Sequence, residues 1–131
     1  MISQPSVSGL PILAMSQWCV DLEAFELVLL RRSEDAPACA GDVLQRIQDE
    51  HLAYHARLRE AGQVVINGPV SDQADPALRG LTFYRTGSLA QSRQLAEGDP
   101  AVRAGRLTVE IMTWYSPPGT MNQPGRGVSL P

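Results

Sequence analysis

The order of hydrophobic patterns along the chain is the feature that most constrains its fold. Strand patterns, either compact apolar runs or alternating residues, predict strands at 25–32, 63–70, 81–86 and 107–115. Apolar residues at helical spacing predict helices at 42–61 and 88–98, with one extra turn at 99–105. The order strand, helix, strand, strand, helix, strand is that of the ferredoxin-like βαββαβ fold. This α+β fold has an antiparallel sheet with both helices on one face.

The opposite face of the predicted sheet also needs a cover. Its strands offer too little polar surface for an open face, because Leu27, Leu29, Val65, Phe83 and Ile111 alternate with further apolar residues. In a chain of 131 residues the simplest cover is the same sheet of a second copy. We therefore expect a homodimer through the sheet faces.

Local signals mark the ends of the predicted helices. Asp42 can accept hydrogen bonds from the first-turn amides, with Gln45 at the capping-box position. Gly62 can supply the left-handed stop of the same helix. Ser88 and Gln91 repeat the capping-box spacing at the start of the second helix.

Length and composition indicate one globular domain with two flanking segments. We predict an N-terminal extension at 1–24, an α+β domain at 25–115 and a Pro/Gly-rich tail at 116–131. Cys19 and Cys39 lack the spacing of a zinc or redox motif, so we expect free thiols.

Charge and hydropathy argue against two classes of partner. The net charge is −3 and the arginines are scattered along the sequence, so we expect no nucleic acid. We expect no membrane partner, because no apolar run is long enough to cross a bilayer, and the first residues lack the pattern of a signal peptide. A cytoplasmic protein is the resulting prediction.

Both histidines of the chain fall in the first predicted helix, one turn apart. His51 projects near the centre of the apolar stripe and His55 at its margin. Three roles fit this spacing: metal ligands on one helix face, buried histidines that each satisfy one hydrogen bond, or a general acid/base. A metal site needs a third protein ligand, and the glutamate of an HExxH motif is absent, since Glu50 precedes His51. We therefore expect no metal and no cofactor, and the other two roles stay open.

A histidine that transfers protons needs an orienting partner, and Asp99 is the candidate. Asp99 begins the segment DPAVRAG, where its carboxylate can also cap the turn that Pro100 opens. Both roles can hold at once, because one carboxylate oxygen can cap while the other accepts from an imidazole N–H.

Two longer stretches together resemble the YciI-like (YCII-related) family. They are HLAYHARLREAGQVVINGP, with its H-L pair and Gly-Pro strand end, and SLAQSRQLAEGDPAVRAGRLTVEIMTW, with its Asp-Pro segment before the last strand. The resemblance covers roughly residues 25–115 and implies a ferredoxin-like dimer related to the dimeric α/β barrels. It also implies that His51 and Asp99 form an active-site pair. His55 has no counterpart in the family pattern, and we interpret it as a packing or supporting residue.

The resemblance implies acid/base chemistry on small oxygenated rings. One branch of the family removes chloride from a chlorinated hydroxyquinone, and the related muconolactone isomerases move protons on small lactones. We therefore predict a small-molecule enzyme, a lyase, isomerase or dehydrochlorinase, in which Asp99 orients His51. The alternative is a non-catalytic dimer that binds a small ligand or serves as an accessory protein.

Four further residues are candidates for substrate binding. The chain has Asn67 before Gly68 and Pro69, where the family commonly has a small apolar residue, so Asn67 is either a substrate contact or a satisfied strand end. Trp114 ends the last strand, where it either lines the mouth of the pocket or packs in the core or an interface.

Overall fold

A computed structural model describes residues 21–121, which form four strands and three helices. The elements are β1 (Glu23–Arg32), α1 (Gly41–Glu60), β2 (Val64–Pro69), β3 (Leu78–Tyr84), α2 (Leu89–Glu97), α3 (Pro100–Arg103) and β4 (Leu107–Ser116). The predicted order of elements is confirmed. Most of the predicted N-terminal extension and C-terminal tail, and Cys19, lie outside the described residues.

The four strands form one antiparallel sheet in the order β2-β3-β1-β4. Both longer helices cover the same face, because Leu58 of α1 and Ala96 of α2 belong to one core cluster with Val28 and Leu30 of β1. The chain therefore has the predicted α+β, ferredoxin-like fold. β1 is an inner strand of the sheet and carries apolar side chains on both faces.

The other sheet face carries no helix within residues 21–121, and large apolar side chains lie on it. Leu27 pairs with Phe83 across β1 and β3, and Phe83 contacts Trp114 edge to face at 5.5 Å. Trp114 is 43% exposed and Met112 is 36% exposed. Ile111 does not lie on this face, because it alternates with Met112 along β4 and packs against the core on the helix side.

The structure corrects the predicted start of α1 and bears out two other helix ends. The residue preceding α1 is Ala40, without a side-chain cap, and Asp42 lies inside the first turn. Asp42 instead places a negative charge near the positive end of the helix dipole. The hydroxyl of Ser88 accepts from the backbone N–H of Gln91, and Gly62 has a positive φ of 77° after α1, both as predicted.

The buried stripe of α1 is rotated relative to the prediction. His55 and Leu58 are the buried residues of this helix, whereas the side chain of His51 is 15% exposed. The expectation that His51 occupies the centre of the buried face and His55 its margin is therefore wrong. The reason is that part of α1 borders an open cleft, to which Leu44 and Ile47 contribute apolar side chains.

β3 begins three residues before its predicted start and ends two residues before its predicted end. Leu78 to Gly80 lack a strand pattern, but their backbone pairs with β1 and β2. Beyond Tyr84 the chain leaves the sheet, since the buried carboxylate of Glu26 accepts from the backbone N–H of Thr86 at 3.0 Å.

None of the helices in residues 21–121 is both long and apolar enough to cross a membrane. The cytoplasmic location stays a prediction. Within the same residues Cys39 is a free thiol, as expected.

Candidate active site

Asp99 is the N-cap residue of α3, and its side chain accepts a hydrogen bond from the first turn of the helix. Pro100 occupies the first helical position, where its missing N–H costs nothing. Oδ1 of Asp99 accepts from the backbone N–H of Ala101 at 2.8 Å. Asp99 is fully buried, so a second set of donors is needed for its other oxygen.

Both histidines supply that second set of donors. Oδ2 of Asp99 lies 2.7 Å from Nδ1 of His51 and 2.8 Å from Nε2 of His55. One oxygen thus caps α3 while the other contacts imidazole, which is the division of roles that the sequence allowed. His55 shares the carboxylate equally, which the sequence did not indicate.

The contact between α1 and α2 holds the histidines against Asp99. The hydroxyl of Tyr54 donates to the backbone carbonyl of Leu95 at 2.7 Å. Gly98 permits this approach, because a Cβ there would come within 2.6 Å of the Tyr54 hydroxyl oxygen. The end of α2 that leads into Asp99 is therefore fixed to the helix that carries His51 and His55.

The charge on Asp99 decides which ring nitrogens carry protons. Burial raises the pKa of Asp99, but hydrogen bonds from His51, His55 and the Ala101 amide outweigh burial and lower it to about 2. An ionised carboxylate only accepts hydrogen bonds, so both contacting nitrogens must donate. His51 is therefore protonated at Nδ1 and His55 at Nε2.

The two histidines differ in what their remaining nitrogen faces. His51 lines the cleft, and because its Nδ1 contacts Asp99, Nε2 is the nitrogen left for a ligand. Nδ1 of His55 is buried and has no hydrogen-bond partner among the described residues. The rings pack edge to face with centroids 4.7 Å apart. Only His51 can offer an imidazole nitrogen to a bound molecule.

The same three side chains could also hold a metal ion. The ligand atoms of His51, His55 and Asp99 lie within 4.8 Å of one another. The expectation that a third ligand is missing is therefore wrong, because Asp99 supplies it. In the geometry described, however, each nitrogen points at one carboxylate oxygen at hydrogen-bond distance, so a metal would have to displace both N–H protons. The absence of a metal stays a prediction.

A cleft of about 1100 Å³ opens beside His51. Side chains of α1 line it on one side, and β2 and β3 line it on the other. Its size is at the upper end for small-molecule sites, which combine apolar walls with a few polar groups. The cleft thus brings a histidine with a fixed tautomer next to a space for a ligand.

Three of the four predicted substrate-binding residues lie at this cleft. Asn67, Gly68 and Pro69 line it together with His51. Oδ1 of Asn67 accepts from a guanidinium N–H of Arg59, so Asn67 has a structural partner and also faces the cleft. Trp114 does not line the cleft; it lies on the sheet face opposite the helices, against Phe83.

Sequence reasoning missed the arginines of this cleft and the contact of His55. Arg59 follows His55 by four residues and His51 by eight, so the spacing HxxxHxxxR places all three on one side of α1. That spacing was the available signal. Three more arginines come from distant segments of the sequence and had no local signal. They are Arg32, Arg79 and Arg106.

Comparison with known proteins shows similarity to solved structures and to one family. No curated protein matches the chain. The chain is similar to the 5-chloro-2-hydroxyhydroquinone dehydrochlorinase of Burkholderia phenoliruptrix, solved in complex with 2,5-dihydroxybenzoquinone. The two are 18% identical over 68% of this chain and 92% of that chain, with a TM-score of 0.47.

The family comparison covers most of the chain. The model of the YCII-related domain matches residues 25–115, a span that includes β2, both histidines and Asp99. This match agrees with the resemblance seen in the sequence motifs. The chain therefore belongs to the YCII-related family.

Proposed function

We propose that this protein is a small-molecule enzyme in which His51 acts as a general acid/base. The observation that carries the proposal is the contact of Asp99 Oδ2 with His51 Nδ1 at 2.7 Å, beside a cleft that His51 lines. A histidine that takes up a proton needs a group that fixes its tautomer and stabilises the imidazolium. Asp99 supplies both.

The proposed mechanism is a proton transfer through Nε2 of His51. Nε2 removes a proton from a bound substrate, and the same nitrogen returns it to another position or to a leaving group. Asp99 keeps its charge throughout and holds the ring. The buried hydrogen bonds to Asp99 support this arrangement, because they need no reorganisation when the proton moves.

The proposed substrates are small oxygenated ring compounds, and the reaction is an elimination or an isomerisation. This part of the proposal rests on the family to which the chain belongs. Asn67, Gly68 and Pro69 are proposed to contact the substrate, because they line the same cleft as His51. Trp114 is not part of the proposed site.

The test is a proton-transfer assay that needs no knowledge of the natural product. A panel of hydroxyquinones, their chlorinated forms and small lactones is incubated with the protein in D₂O, and NMR follows deuterium uptake and product formation. On the best compound, His51→Gln should lower the rate by roughly 10²–10⁴-fold. Asp99→Asn should also lower it.

The matched control changes another polar residue at the cleft. Gln45 lines the cleft from the first half of α1, and its side-chain amide donates a hydrogen bond to Asp49. Gln45→Ala should therefore leave the rate within a few-fold of wild type. A rate that survives His51→Gln contradicts the proposed mechanism. Binding of panel compounds without any proton transfer favours the non-catalytic, ligand-binding alternative.

A further inference from the structure

Apart from His51, the charged side chains that line the cleft in residues 21–121 are all positive. Among these residues, the lining contains four arginines and neither an aspartate nor a glutamate, although the whole chain has a net charge of −3. The four come from β1, α1, β3 and the turn before β4: Arg32, Arg59, Arg79 and Arg106. Since these positions are far apart in sequence, it is the fold that gathers the positive charge.

None of these arginines forms an ion pair within residues 21–121. The arginine ion pairs there use Arg31, Arg85 and Arg93, all of which lie outside the cleft lining. Arginine side chains are charged at every physiological pH. A concave surface with unneutralised charge of one sign attracts ligands of the opposite sign.

Arg59 is the arginine best placed to hold a ligand. It is half-buried, and one N–H of its guanidinium donates to Oδ1 of Asn67 on β2. A guanidinium has five N–H donors, so this bond orients the group and leaves other donors for a ligand. A planar fork of such donors matches the two oxygens of a carboxylate.

Arg59 and His51 lie on the same helix, a little over two turns apart. This separation is about 12 Å along the axis of α1. Both side chains line one cleft of about 1100 Å³. A ligand can therefore extend along α1 and contact both residues.

We propose that the substrate of this cleft carries a carboxylate, which Arg59 binds while the reacting ring lies at His51. This inference rests on the proposed function and names the substrate class for the same site. Arg32, Arg79 and Arg106 add to the positive potential of the cleft. Asn67 acts as a positioning residue, because it orients Arg59.

The test compares two probes that differ by one charge. They are 3-(2,5-dihydroxyphenyl)propanoate and its primary amide. Calorimetry measures their binding to His51→Gln protein, in which proton transfer by His51 is removed, so the result does not depend on turnover. We expect the carboxylate to bind about tenfold more tightly than the amide, because a charge-assisted hydrogen bond replaces a neutral one.

Two added substitutions test the role of Arg59. Arg59→Gln in the same protein should bring the two affinities to within about twofold of each other. Arg93→Gln is the matched control, since Arg93 pairs with Glu97 on the exposed side of α2, and should leave the preference unchanged. If Arg59→Gln does not fold, Arg59→Lys, which keeps the charge and loses the fork, should reduce the preference.

The dependence of binding on ionic strength tests the same proposal independently. Raising NaCl from roughly 20 mM to roughly 500 mM should weaken binding of the carboxylate and leave binding of the amide nearly constant. Equal affinity for the two probes, no binding of either, or a preference that persists in Arg59→Gln overturns the proposal. Each of these results leaves the proton-transfer test of His51 intact, because that test uses neutral compounds as well.

Discussion

Asp99 uses its two carboxylate oxygens for different purposes, and both were foreseeable from its place in the sequence. An aspartate before a proline is typical of a helix start, and the family resemblance pairs it with His51. The structure adds that Oδ2 serves two histidines at once. The sequence could not indicate the second contact, because helical spacing alone does not say which side of α1 faces Asp99.

The depressed pKa of Asp99 predicts how stability depends on pH. A carboxyl whose pKa falls from 3.8 to about 2 on folding stabilises the folded state only when it is ionised. Its contribution is fully present above about pH 4 and is lost as the pH falls towards 2. By linkage this contribution is roughly 2 kcal/mol.

Urea unfolding of wild type and Asp99→Asn over a range of pH measures this contribution. The variant should be less stable by about 2 kcal/mol at neutral pH, and the difference should shrink as the pH falls from about 4 to 2. Glu97→Gln removes an exposed ion pair and should change stability by less than about 0.5 kcal/mol. A difference between wild type and Asp99→Asn that is the same at pH 7 and pH 2 contradicts the coupling.

At the scale of the elements, periodicity predicted which segments become helices and strands better than where they end. β3 shows why: its first residues pair with the neighbouring strands through their backbone, but their side chains do not alternate between apolar and polar. The N-cap of α1 was also misplaced by two residues, at Asp42 instead of Ala40, because a carboxylate in the first turn and a carboxylate at the N-cap look alike in sequence. These errors in the ends of elements did not affect the predicted fold, because that prediction depends on the order of strands and helices along the chain.

The close approach of β2 and β3 at the cleft predicts a strict need for glycine at position 80. A Cβ there would lie 2.9 Å from the carbonyl oxygen of Gly68, a backbone atom that cannot move without displacing its strand. Gly80→Ala should therefore cost roughly 1–3 kcal/mol in the free energy of unfolding, as overpacking does elsewhere. Gly41→Ala is the control, because nothing lies within 4 Å of its new Cβ and alanine favours helix. Equal stability of the two variants in urea contradicts this reading.

In the complete fold, residues that lie far apart in the sequence come close together. The sequence predicted the α+β fold and the need to cover the second sheet face. It could not predict the positive cleft, because Arg32, Arg79 and Arg106 are individually unremarkable and meet only through the sheet and the turn before β4. It left Trp114 open between the mouth of the pocket and the core or an interface, since one aromatic residue at a strand end does not reveal its face.

The apolar sheet face predicts a homodimer. Phe83, Met112 and Trp114 lie on this face, and no helix within residues 21–121 covers it. We expect light scattering at micromolar concentration to give twice the mass of the chain. The double substitution of Met112 and Trp114 by lysine should favour the monomer, because burying two ammonium groups in an interface is costly.

The control for the dimer places a lysine on the other side of the sheet. Leu52 is exposed on α1, at the cleft, so Leu52→Lys should leave the mass of the dimer unchanged. A wild-type protein that scatters as a monomer at micromolar concentration contradicts the proposed assembly.

The tautomers of the two histidines give the sharpest test of the proposed roles of His51 and Asp99. Because Asp99 accepts from Nδ1 of His51 and from Nε2 of His55, the neutral rings must carry their protons on opposite nitrogens. Long-range ¹H–¹⁵N correlation NMR at pH 9, where an ordinary imidazole is neutral, distinguishes the two forms. We expect His51 to be protonated at Nδ1 and His55 at Nε2, and Asp99→Leu to remove the Nδ1 form of His51. Protonation of the neutral His51 ring at Nε2 in the wild-type protein would contradict this assignment, because Nδ1 would then have no proton to donate to Asp99 and Nε2 could accept none.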